Sequence, residues 1–206
     1  MGFREFTSIE EINEWAAKHY GEFLSHPEEP IYDVVFSYTG SAYYAMNNWL
    51  RGLPLMSLEE LKETKEYSSF RDETVALYEY IMGYRLNEDI NVYRSVTRRG
   101  IKELFRSWLP RKGMTGIEKA FMSTTMLRST AVRYSKKNKG VTMRIRVPKG
   151  VHALYVSQDD YKGNLLKEYE LLLRPGIELR VIKSGLFAIE CEVVPSLEEQ
   201  ATLESE

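Results

Sequence analysis

Val141-Thr142-Met143-Arg144-Ile145-Arg146-Val147 is the stretch that decides how this chain folds. Apolar and polar residues alternate without a break, so Val141, Met143, Ile145 and Val147 share one face of a strand. Pro148-Lys149-Gly150 then turns the chain. Downstream, Glu168 to Leu173 and Glu178 to Ile182 read as further strands, and Ser184-Gly185 as a hairpin turn into Leu186 to Val194. Upstream, Ile90 to Ser95 and Lys119 to Thr125 are short and β-prone, with Gly100 to Trp108 as a short helix between strands.

Further upstream the period changes from two to that of a helix. Ser8 with Glu11 is a capping box, which satisfies free amides at a helix start. Ile12, Trp15, Ala16, His19, Tyr20 and Phe23 follow at helical spacing. Pro27 and Pro30 break that helix. Ser41 to Arg51 reads as a second helix, ended by Gly52 and Pro54. Ser57 with Glu60 opens a third, and residues 69–84 form a fourth. Helices first and strands later argue for an α+β fold rather than alternating α/β. With 206 residues, one domain over 1–195 is the expectation. Residues 196–206 are acidic and small, and read as a disordered tail.

Composition removes several classes of function. The net charge of -2 gives no basic footprint for a nucleic-acid backbone. Arginines and lysines do cluster, at Arg98 to Lys112 and again at Arg128 to Lys139. Either a solvated face or an anion site explains them. The single cysteine, Cys191, excludes an internal disulfide, and with three scattered histidines no metal constellation appears. The N-terminus lacks the basic-then-apolar run of a signal peptide, and no apolar stretch is long enough for a membrane span. The chain reads as cytosolic where it is made, with delivery into another cell left open.

Three spots have chemistry to offer, and each alone has an ordinary explanation. Arg94, in Tyr93-Arg94-Ser95 at a strand end, has the fork that grips a phosphate; it also fits a plain surface arginine. Ser123-Thr124-Thr125 offers hydroxyls that orient a carboxylate or sugar, or simply reflects the β-propensity of threonine. Glu168-Tyr169-Glu170 places two carboxylates on one strand face. They repel each other unless solvated or partnered, and a solvent-facing strand would tolerate both.

In this order, an arginine, a Ser-Thr-Thr and a Glu-x-Glu resemble the Arg–Ser–Glu class of mono-ADP-ribosyltransferases, the family of binary actin-modifying toxins and Rho-modifying exoenzymes. Tyr38-Thr39-Gly40-Ser41, followed by Asn47 and Leu50-Arg51, resembles the family's helix over the cofactor. Phe6 to Tyr20, with Glu11-x-x-x-Trp15-Ala16, is similar to the opening helix of binary-toxin catalytic domains. The likeness runs from about Phe6 to Pro195, and Ser-Thr-Thr stands where Ser-Thr-Ser is usual.

The resemblance implies two packed, mostly antiparallel sheets forming an NAD cleft. It implies transfer of ADP-ribose from NAD to a target, with Glu170 as catalytic carboxylate, Ser123 positioning it, and Arg94 holding the cofactor phosphates. Tyr38, Asn47, Arg51, Thr124 and Thr125 would complete the cofactor site. The segment from Met126 to Gly140 would be a loop over the phosphates, with Arg133 preferred to Arg128. Glu168 at its position accompanies arginine acceptors in the family, and the N-terminal likeness to actin-modifying toxins makes actin a first candidate target. Residues 157–167, with Tyr161, would meet that target. NAD glycohydrolysis, transfer to a nucleic acid and an inactive docking module are the competing readings. A separate delivery component or an inhibitor would be a partner.

Overall fold

The computed structural model describes residues 2–26, 29–65, 68–156 and 169–204. Its N-terminal half is helical: α1 (Ile9–Ser25), α2 (Pro30–Ser37), α3 (Tyr43–Gly52), α4 (Leu58–Glu63) and α5 (Arg71–Met82). The second half holds β1 (Ile90–Val96), α6 (Arg98–Phe105), β2 (Thr115–Glu118), β3 (Met122–Thr125), α7 (Arg128–Lys137) and β4 (Val141–Val147). These are followed by β5 (Ala153–Val156), β6 (Glu170–Leu173), β7 (Ile177–Ser184), β8 (Ala188–Val194) and α8 (Leu197–Glu204). The expected α+β order is observed. No helix among the described residues is long and apolar enough to cross a membrane.

The helix starts follow their caps. Ser8 Oγ accepts the Glu11 amide at 3.2 Å, and α1 then buries Ile12, Trp15, Ala16, Tyr20 and Phe23. Ser57 and Glu60 bond each other's backbone amides at 3.2 and 2.7 Å, a complete capping box on α4. Ser57→Ala is expected to cost about 1 kcal/mol, read as a lower denaturation midpoint; an unchanged midpoint would mean α4 contributes nothing to cooperative unfolding. Pro30 begins α2 rather than merely ending α1, because the first helical position needs no amide donor.

The strands lie in the order β2-β7-β8-β4-β1-β3-β6-β5, antiparallel except for β4 beside β8. Where two sheets are expected, the ladder is continuous, yet β1 and β3 share the single pair Tyr93↔Thr125. Beyond that pair they diverge, and the gap is spanned by side chains. β4 alternates as its sequence predicts, with Val141, Met143, Ile145 and Val147 all buried. At the sheet edge, Gly116 of β2 sits against α6: an added Cβ would lie 2.3 Å from the Leu104 carbonyl oxygen. Only glycine allows that approach.

Three expectations change. The stretch from Met126 to Gly140 is not a loop but largely α7, which buries Thr130, Ala131 and Ser135 against β1 and β4. The expected strand from Glu168 begins at Glu170. Tyr169, just before it, has φ +47° and lies outside the extended region, while Glu168 lies outside the described residues. The tail is not disordered over Leu197–Glu204 but forms α8. Ser196 Oγ caps Glu199 at 3.2 Å, and the Glu199 carboxylate takes both Arg174 Nε (2.9 Å) and Nη2 (2.8 Å).

Candidate functional site

The gap between β1 and β3 is where the chemistry-bearing side chains converge. β1 brings Arg94, and β3 brings Ser123, Thr124 and Thr125. β6 brings Glu170, the register partner of Thr125. Arg94 Nη1 donates to the Ser123 carbonyl at 2.9 Å, so the arginine stands across the divergence of the two strands. Thr124 Oγ1 donates to the Leu171 carbonyl at 2.6 Å, which ties β3 to β6. Its one proton is spent on structure. Thr125 Oγ1 accepts the Leu127 amide at 3.2 Å and shapes the exit from β3.

Helical residues close the other side. Tyr38 is buried, and its hydroxyl lies 3.3 Å from Ser123 Oγ while accepting from Asn47 Nδ2 at 3.0 Å. Tyr38 and Asn47 are nine residues apart, and nine steps of regular α-helix end about half a turn round, on the opposite face. The π-helical turn Tyr38–Ala42 widens the coil and brings the two side chains together. Because Asn47 Nδ2 can only donate, the Tyr38 proton is free for Ser123 Oγ. The serine proton is then available to a third group. Asn47 Oδ1 is buried and has no hydrogen-bond partner among the described residues. A buried acceptor left this way costs free energy until a donor arrives.

The electrostatics bind these groups into one unit. Burial pushes the Tyr38 phenol up to about 12, and the nearby Glu170 charge adds to it, against the pull of Ser123, Asn47 and Arg94. Tyr38 therefore stays a neutral donor at ordinary pH. Burial lowers the pKa of the Arg94 guanidinium, while the Glu118 and Glu170 carboxylates favour its charge. Glu170 itself is 9% exposed. Arg51 works against burial too, but a bidentate pair with Glu118 (Nε 2.9 Å, Nη2 3.0 Å) holds its charge. Glu118 was not singled out in the sequence. It follows Thr-Gly-Ile on a short edge strand, and nothing local distinguishes it from a solvated glutamate.

Arg133, Glu168 and Tyr161 remain from the sequence. Arg133 is exposed on α7 with its guanidinium 5.4 Å from the Tyr134 ring centroid. Glu168 and Tyr161, with the 157–167 segment, lie outside the described residues. Cys191 is buried in β8, where burial pushes its thiol up to about 12. No group of residues suited to a metal ion occurs among those described.

A family model for the ADP-ribosyltransferase exoenzyme matches residues 12–200. No curated protein matches the sequence. Among solved structures, C3stau2 from S. aureus with NAD superposes with a TM-score of 0.71 at 14% identity, covering 95% of this chain and 100% of that one. The ADP-ribosylating toxin BECa of a binary enterotoxin of C. perfringens, with NADH, gives 0.69 at 20% identity, over 94% of this chain and 50% of that chain. The enzymatic component C2-I of the C2 toxin of Clostridium botulinum gives 0.63 at 15% identity, over 89% and 47%. This chain thus spans about half the length of the two binary-toxin components.

Proposed function

Because the chain belongs to the ADP-ribosyltransferase exoenzyme family, we propose that it cleaves NAD and transfers ADP-ribose to an arginine of a target protein, releasing nicotinamide. The observation that carries this reading is the cluster of Arg94, Ser123, Tyr38 and Glu170 around the β1–β3 divergence.

Each group has a task in that reaction. Arg94 and Arg51 supply positive charge for a diphosphate, and Arg94 does so from a half-buried position where charge is less screened than on the open surface. Asn47 Oδ1 takes a donor from the ligand, which fits a carboxamide or a ribose hydroxyl. Ser123, fixed by Tyr38, orients Glu170. When the bond between nicotinamide and ribose breaks, its electron pair leaves with the nicotinamide and positive charge develops on the ribose carbon. Glu170 stabilises that charge, as a carboxylate does in glycoside cleavage. The guanidine nitrogen of the acceptor then bonds the same carbon, and Glu168 accepts its proton.

The target is tested directly. NAD tagged on its adenine side is mixed with eukaryotic and bacterial lysates, with actin as the first purified acceptor. Native protein labels a discrete band, and Glu168→Ala loses transfer while keeping NAD cleavage. NAD consumed without label on any macromolecule would make the enzyme a glycohydrolase. The likeness to C2-I, the enzymatic component of the C2 toxin, supports a separate component as a further partner.

A further inference from the structure

On the other face of β1, a groove of about 890 Å³ opens between α7, β4 and the β7–β8 hairpin. Strand alternation separates it from the site above: Tyr93 lines the groove, while Arg94 turns to Ser123. Its cations are Arg98, Arg128, Lys136, Lys139, Arg144 and Lys183, against two carboxylates, Glu5 and Glu190. Both carboxylates are engaged by Arg144, at 3.2 and 3.7 Å, and Glu190 also by Arg146 at 2.6 Å. The other five cations have no carboxylate within ion-pair distance among the described residues.

The rim of this groove carries an exposed apolar pair. At the hairpin tip, Leu186 is 62% and Phe187 is 78% exposed. The tip is held in shape, because Gly185 donates to the Ala188 carbonyl at 2.9 Å and Arg98 Nη2 donates to the Leu186 carbonyl at 2.8 Å. A single exposed apolar side chain needs no explanation. Two bulky ones adjacent on a tethered tip, beside a groove lined by Arg98, Lys139 and Lys183, call for an occupant that is anionic at its surface and apolar just beneath. A soluble anion has nothing to offer Leu186 or Phe187. A nucleic acid could stack on Phe187 but not on Leu186, which has no ring face.

We infer that this face docks on an anionic lipid bilayer, with Leu186 and Phe187 entering the headgroup–acyl boundary and the groove cations contacting lipid phosphates and carboxylates. Peripheral anchoring of this kind needs both parts, since a small apolar insertion and a few basic residues are each weak alone. The bilayer would lie against the face opposite Arg94, so the β1–β3 site stays open to its ligand and acceptor.

The full chain is to be sedimented with phosphatidylcholine vesicles made with and without phosphatidylserine. Binding is expected to the phosphatidylserine vesicles only, and to fall as salt rises. Leu186→Ser with Phe187→Ser, and separately Lys136→Glu with Lys183→Glu, should each lower vesicle partitioning by about tenfold or more. Circular dichroism and NAD cleavage should stay native in both pairs, which separates loss of docking from misfolding or a damaged site. Equal binding to both vesicle types, no binding to either, or unchanged binding by the Leu186/Phe187 pair would each overturn the proposal. Salt-sensitive binding to single-stranded RNA or to polyglutamate without vesicle binding would overturn it in favour of a nucleic acid or an acidic polypeptide.

Discussion

Glu170→Gln is expected to reduce NAD cleavage by about 10²–10³-fold, the loss typical when one electrostatic stabiliser of a transition state is removed. Glutamine keeps the size of the side chain and removes its charge. Glu170 is buried beside Thr125 in a site already crossed by hydrogen bonds, so the neutral variant fits without repacking. NAD affinity should change little, because Arg94, Arg51 and Asn47 are untouched. A fall in kcat with nearly constant KM is therefore the expected pattern. There is a second readout that does not depend on activity. The Tyr38 phenol is held at about 12 by burial and then by the Glu170 charge. Removing that charge should let Tyr38 titrate lower, visible in the phenolate difference spectrum between variant and native protein. If cleavage persists near the native rate while Tyr38 shifts, Glu170 is close to the site but does not carry the reaction.

The largest effect on stability is expected from Glu199→Ala. Glu199 is fully buried and takes two hydrogen bonds from Arg174, with the Ser196 and His152 amides at 2.7 and 3.2 Å. Its removal leaves the Arg174 guanidinium buried without its counter-charge, and breaking such a pair by deleting one partner costs about 3–5 kcal/mol. Urea denaturation measures this, and a loss below about 1 kcal/mol, the range of surface pairs, would show that α8 detaches without consequence. The pH dependence has a definite sign. Burial raises the Glu199 pKa, but Arg174 and the two amides outweigh it and bring it from 4.5 to about 2. A carboxylate depressed on folding stabilises fully above 4.5, and its contribution is lost as pH falls towards about 2. Burial, with Arg85 nearby, also lowers His152 from 6.5, so the unfolded chain takes up that proton first. Both groups make acid destabilising: His152 from about pH 6.5 downward, Glu199 below that. In Glu199→Ala the lower part of this acid loss should vanish.

Much of the fold was legible because the signals were local. Ser8 and Ser57 marked their helices through hydrogen bonds made within four residues, and β4 showed itself by alternation. The same capping rule applies to Ser196 and Glu199, where acidic composition argued for disorder; Arg174 overrules that by giving Glu199 a buried partner. β5, which the sequence does not announce, is buried on every residue and so lacks the period of two. Met126 to Gly140 read as a loop because α7 is polar on most of its surface and needs only Thr130, Ala131 and Ser135 to pack.

For the site, the residue types were readable and their contacts were not. The order Arg94, Ser123, Glu170 along the chain pointed to the family, because residue type and order are read directly from a sequence. That Arg94 bridges to the Ser123 carbonyl, that Glu118 holds Arg51, and that a π turn swings Asn47 onto Tyr38 were decided only by the tertiary structure. Periodicity records which face a residue takes within its own element. The distance between Arg51 and Glu118, 67 positions apart, is set by how whole elements pack, and no local pattern encodes it.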